Sequence, residues 1–139
     1  MLIVSALAMA WMLLRPAAGH DGLNLVPLRE IARVLKPLMK ADEPLQHPSF
    51  RYLLWNAGGN IAAFFPLGLA VAGLFHPRGP GLALRRAVLT GFFVSLAIET
   101  VQLVVPGRIT DVDDLLFNTL GALLGGLLGL WILRRRRSR

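Results

Sequence analysis

The sequence predicts an all-α integral membrane bundle of four transmembrane helices, with an amphipathic interfacial helix after the first. Three observations predict it. The 139 residues are 55% hydrophobic and only 17% charged, whereas a soluble domain of this size carries about 25% charged residues. Mean hydropathy is +0.58. The charges fall in blocks, and the runs between them are long and uncharged, a division that suits lipid better than a water-soluble core.

Residues 1–14 are apolar throughout and stop at Arg15-Pro16. At about 1.5 Å per residue they reach about 21 Å, short of the roughly 30 Å hydrocarbon core. A cleaved signal peptide competes with a first span. No basic n-region precedes the run and no small-x-small site follows it before Arg15, so a span is expected, with a start upstream of Met1 as one way to complete it. Residues 15–51 are the longest polar stretch. Within them Leu28, Ile31, Leu35, Leu38 and Met39 recur at helical spacing, with Arg29, Arg33, Lys36 and Lys40 between. This pattern fits either a helix in the headgroup plane, bent by Pro37, or a loop helix packed on its neighbours.

Residues 52–75 form the second span, uncharged but carrying Asn56, Asn60 and Pro66. Pro66 and Gly68 are expected to bend it locally. The link His76-Pro77-Arg78-Gly79-Pro80-Gly81 is a turn. Residues 83–105 form the third span, closed by Pro106-Gly107, and residues 115–133 the fourth. Residues 1–133 thus make one membrane domain, and residues 134–139 a basic tail.

Five of the fifteen basic residues lie in that tail, directly after an apolar run. So placed, they anchor against anionic headgroups and place the tail in the cytoplasm, which excludes nucleic acid as the reading of the net charge of +7. With four spans both termini are cytoplasmic, together with Arg78, Arg85 and Arg86. The first loop, with six basic residues of its own, then faces outward with the Arg108 loop. The chain has no cysteine, which rules out disulfides, thiolate metal sites and cysteine nucleophiles. His20, His47 and His76 are scattered in loops and read as surface residues.

The polar residues of the spans gather at one end. Asn56 and Asn60 fall at the start of the second span, Glu99 and Gln102 near the end of the third, and Asp113, Asp114 and Asn118 at the start of the fourth. Arg108 and Asp111 lie in the connecting loop. All fall within about 12 Å of one membrane surface at 1.5 Å of rise per residue. Asn56 and Asn60 are four apart, Glu99 and Gln102 three, and Asp114 and Asn118 four, so each pair shares a helical face. A single shared site is the economical explanation.

Glu99 sits among apolar neighbours, where a lone carboxylate costs about 2.5–3.5 kcal/mol. An Arg108–Glu99 clamp that fixes helix positions, and a functional acid, base or ligand-binding carboxylate, both account for it. The run from Arg108 to Asp114 places Asp111, Asp113 and Asp114 within four residues. Capping of the fourth helix by Asp111 with Asp114 is one reading. A site for a hard divalent cation such as Mg²⁺ or Ca²⁺ is the other. No soft-metal spacing and no cofactor motif is present. Gly121, Gly125 and Gly129 recur every four residues, a stripe that lets helices approach closely within the bundle or, less simply, in a homo-oligomer.

Several of these pieces resemble the VanZ-like family. Asn60-Ile61-Ala62-Ala63-Phe64-Phe65-Pro66-Leu67-Gly68 is similar to its N-x-x-x-F-x-P-x-G signature, and Glu99-Thr100-Val101-Gln102 to its E-x-x-Q. Arg108 through Asp114, then Asn118 and Gly121, resembles its R-x-x-D-x-D-D-x-x-x-N-x-x-G block. Asn24-Leu25-Val26-Pro27 resembles N-L-[IV]-P-F, with Leu28 in the place of Phe. The short first span is the other departure. The resemblance implies a multi-pass protein of the bacterial cytoplasmic membrane, in a family named for a member that gives low-level resistance to the glycopeptide teicoplanin.

Three functions compete. In the first, a non-enzymatic envelope protein binds a lipid-linked or lipopeptide ligand through Asn56, Asn60, Glu99, Gln102, Arg108, Asp111, Asp114 and Asn118. In the second, a small membrane enzyme acts on a lipid or cell-wall precursor, with Glu99 as acid or base, Arg108 as anion holder and Asp111 and Asp114 on a divalent cation. In the third, the polar set is interhelical glue in a structural or assembly subunit.

Overall fold

The computed structural model describes residues 3, 6, 9–10, 22–106 and 109–137. Arg108 and most of the expected first span lie outside the described residues. Ile3, Ala6, Met9 and Ala10 are helical, and Met9 packs against the bundle core.

Strand β1 (Gly22–Asn24) leads to α1 (Arg29–Leu38) and α2 (Pro48–Leu53). A π-helical turn, Leu54–Gly58, runs without a break into α3 (Gly59–Phe75). A 3₁₀ turn, His76–Arg78, precedes α4 (Pro80–Gln102); strand β2 (Ile109–Asp111) then enters α5 (Val112–Arg137). Among the described residues, three helical stretches are long and apolar enough to cross a membrane: Pro48–Arg78 with 31 residues, Pro80–Gln102 with 23 and Val112–Arg136 with 25. At 1.5 Å per residue they extend about 46, 34 and 37 Å, each beyond the hydrocarbon core. Each starts about one helical turn before the span read from hydropathy alone. Leu89, Phe93, Leu96, Leu116, Leu120 and Leu124 are exposed along their outer faces, as lipid contact requires.

The loop helix α1 is amphipathic. Val34 and Leu38 are buried, while Leu35 and Met39 are exposed. It packs against α2. Pro37 sits in its last turn and the helix stops at Leu38, so the proline marks an end and not a central bend. His47 is more than a surface residue, because its Nδ1 caps α2 by accepting from the Ser49 N–H at 3.2 Å. The helix α3 continues through Pro66, and the irregularity in this span is the π turn nearer its start.

The all-α expectation contains no strand, yet β1 and β2 pair in parallel, with Leu23 opposite Thr110 and Asn24 opposite Asp111. Helix α3 packs most closely on α5. The reason is the small-residue stripe: a Cβ added at Gly121 would overlap the Ile61 carbonyl, and one at Gly125 the Phe65 carbonyl. A Cβ at Gly68 would overlap the Ala122 backbone from the other side. Close backbone approach replaces side-chain volume where lipid supplies no hydrophobic drive. Gly121, Gly125 and Gly129 thus face α3 of the same chain, the packing within the bundle that their spacing suggests. The core around Phe64 is built from Ala63, Ala72, Ala83 and Ala87 with Leu67, Val71, Ile98 and Leu130.

Candidate functional site

Helix α3 begins, α4 ends and α5 begins at one end of the bundle, and the buried polar side chains collect there. Asn60, Ser95, Glu99, Gln102, Thr110, Asp111, Asp113, Asp114 and Asn118 are all buried, as is Asn24 from the first loop. Of the residues expected to share a site, Asn60, Glu99, Gln102, Asp111, Asp114 and Asn118 are in this cluster. Asn56 lies at its edge.

The cluster is cross-linked between elements. Asn60 on α3 donates its amide to Asp114 Oδ1 on α5 at 2.5 Å. Asn118 on α5 donates to Ser95 Oγ on α4 at 2.8 Å. Glu99 Oε2 accepts the backbone N–H of Asp111 at 3.1 Å, which ties the end of α4 to the strand that enters α5. Each bond joins two helices or a helix and a loop, and each keeps a polar group out of hydrocarbon that would otherwise lack a partner.

Asp111 is the N-cap of α5. Its Oδ1 accepts the Asp113 N–H at 2.9 Å, satisfying one of the free donors of the first turn. The same oxygen accepts the Asn24 amide at 2.9 Å. Asn24 Oδ1 in turn accepts the Val26 N–H at 3.3 Å, a local Asx turn. Asp114, the expected capping partner of Asp111, accepts the Asn60 amide. The Leu28 N–H donates to Asp113 Oδ1. Leu28 is held at φ 61°, the left-handed region that a branched side chain adopts at a cost of about 1–2 kcal/mol. Asp111 and Asp113 at the start of α5 thus fasten the first loop at Asn24 and Leu28.

The sequence also allows Asp111, Asp113 and Asp114 to hold a divalent cation. Each instead turns an oxygen to an amide donor of the chain, and among the described residues no group of three or more His, Asp or Glu side chains is arranged to hold a metal ion. The Arg108–Glu99 clamp falls outside the described residues.

Among the described residues, two fully buried acceptors have no partner: Asp113 Oδ2 and Asn118 Oδ1. Asp113 lines a small recess with Asn56, Ile31, Val34, Tyr52 and Phe117. The recess measures about 10 Å³, the scale of one water molecule or one small polar group. The site is therefore rich in acceptors, and chemically it suits hydrogen-bond donors.

Sequence reading missed Ser95, Thr110 and Asn24 as members of this cluster. Ser95 lies four residues before Glu99, so extending the helical-face rule by one turn finds it. Asn24 stands in the Asn-Leu-Val-Pro piece already noticed, but nothing local places that loop on α5. Thr110 donates to the Glu99 carbonyl at 3.4 Å, a contact that depends on strand pairing.

The family model described as VanZ/LLP1 matches residues 2–134 of the chain. No curated protein and no solved structure matches it. The match takes in every element of the polar cluster and the glycine interface beneath it. This membrane protein belongs to the VanZ/LLP1 family.

Proposed function

We propose that the protein sits in the bacterial cytoplasmic membrane with its polar cluster outward, and that the cluster receives a hydrogen-bond donor from a lipid-linked or lipopeptide ligand. The observation that carries the reading is the pair of unpartnered buried acceptors, Asp113 Oδ2 and Asn118 Oδ1. A network serving only to join helices gains by closing every acceptor, because each unpaired buried group costs about 1–3 kcal/mol. Asp113 borders the recess beside Asn56. In the first loop and at the start of the second span, Leu28, Met39, Leu45, Tyr52 and Trp55 are exposed, an apolar collar suited to acyl chains at the outer interface. The exposed face of α1 lies in the same headgroup plane in this reading. The orientation rests on the arginines at the opposite end, which belong in the cytoplasm. Sugar hydroxyls and peptide amides of a cell-wall precursor, or of a glycopeptide such as teicoplanin, are the donors this chemistry fits.

The test is saturable binding of labelled teicoplanin and of a lipid-linked cell-wall precursor to the full chain in lipid nanodiscs. Asp113→Asn keeps an oxygen for the Leu28 N–H but can turn the other acceptor into a donor. Affinity is expected to fall about tenfold or more, the usual worth of a hydrogen bond to a charged group. An unchanged Kd in Asp113→Asn and Asn56→Ala would overturn the reading. A second reading, a structural subunit held by polar glue, is favoured by the bonds that link α3, α4 and α5. It predicts that neither probe binds and that the same variants alter only stability.

A further inference from the structure

The end of the bundle opposite the polar cluster carries a second feature. Gly81 and Leu84 of α4 face Leu127, Leu130, Trp131 and Arg134 of α5 across a groove of about 260 Å³. Its walls are apolar, and one cation, Arg134, lines it. Arg78, Arg85, Arg86 and the run Arg134–Arg137 all lie at this end. Arg78 and Arg86 flank the Phe75 ring at 5.6 and 5.5 Å, and Arg135 covers the Trp131 ring at 4.1 Å. Arg85 and Arg134 are exposed.

These charges have no acidic side chains nearby in sequence. Residues 76–98 and 115–139 contain no Asp or Glu. From Arg134 back along α5 to Asp114 is about 30 Å, and from Arg86 to Glu99 about 20 Å, at 1.5 Å of rise per residue. Trp131 sits one turn from the arginines, the depth at which indoles mark the boundary between headgroups and acyl chains.

From these observations we infer that the groove between the start of α4 and the end of α5 binds one anionic phospholipid, its acyl chain against Leu84, Leu127 and Leu130 and its phosphate at Arg134. The apolar wall selects a lipid over a soluble anion. Arg134, with the arginines of the same membrane face around it, selects an anionic headgroup over a zwitterionic one.

The experiment is native mass spectrometry of the full chain released from micelles containing equal phosphatidylglycerol and phosphatidylcholine with identical acyl chains. The expected result is a one-to-one adduct enriched in phosphatidylglycerol. Arg134→Gln should weaken its retention about fivefold, the value of one arginine near a headgroup. Gly81→Trp should abolish it by filling the groove, since a Cβ at Gly81 meets nothing within 4 Å and the helix accepts the side chain. Equal retention of both lipids, or retention unchanged in both variants, overturns the inference in favour of a diffuse basic surface. A lipid-free dimer, or a lipid-free monomer whose groove is covered by residues 1–21, overturns it equally.

Discussion

Gly125 offers a quantitative test of how the bundle is held. A Cβ at this position would overlap the Phe65 carbonyl oxygen and lie 2.9 Å from both the Phe65 carbonyl carbon and the Leu69 nitrogen. All three are backbone atoms, so no rotamer change relieves the contact. Ordinary van der Waals separation begins near 3.4 Å, and α3 must therefore move away by at least about 0.5 Å, more where the oxygen is met. Over-packing of this kind costs about 1–3 kcal/mol. The rigid backbone on both sides, and the loss of neighbouring contacts at Gly121 and Gly68, point to the upper part of that range. Gly73 supplies the control. It lies on α3 with nothing within 4 Å of an added Cβ, so Gly73→Ala should gain up to about 1 kcal/mol from helix propensity alone. Unfolding of both variants by sodium dodecyl sulfate in mixed micelles, followed by circular dichroism, measures the difference. Equal stability of Gly125→Ala and Gly73→Ala would refute the packing argument.

Three further outcomes concern the polar cluster and its loop. Ser95→Ala should cost about 1–3 kcal/mol by leaving the Asn118 amide unpaired, whereas Ser95→Ala with Asn118→Leu should return close to wild type, because removing both partners is nearly neutral; the same denaturation assay reads both. Leu28→Gly should stabilise the chain by about 1 kcal/mol, since glycine relieves the left-handed conformation and Leu28 is more than half exposed. Leu23→Cys with Thr110→Cys should form a disulfide under mild oxidation, seen as a mobility shift that reductant reverses, because paired strand positions lie within disulfide reach and the natural chain has no cysteine.

The clustering was legible because hydrocarbon restricts where polar groups go. Asn60, Glu99, Asp114 and Asn118 stand out against apolar neighbours, and helical rise fixes their depth without any structure. The glycine stripe was legible for the same reason, since spacing of four residues defines one face. Other features depend on long-range placement. Nothing near Asn24 announces that it bonds Asp111, 87 residues away in sequence. The β1–β2 pair is three residues a side and too short to leave a period-two pattern. The π turn at Leu54–Gly58 also escaped, as an extra residue in a turn leaves composition unchanged. It shifts the helical phase between Asn56 and Asn60, so that Asn60 is buried against Asp114 while Asn56 stays half-buried at the recess.

Polar side chains from separate helices bond one another at one end of the bundle, and the Asn60–Asp114 contact is the most direct expression of that arrangement. A double-mutant cycle of Asn60→Ala and Asp114→Ala, measured by equilibrium unfolding in micelles, isolates the contact. The predicted coupling is about 0.6 kcal/mol, the average for interhelical hydrogen bonds in lipid, and at most about 1.7 kcal/mol. Effects that simply add, within about 0.3 kcal/mol, would contradict it.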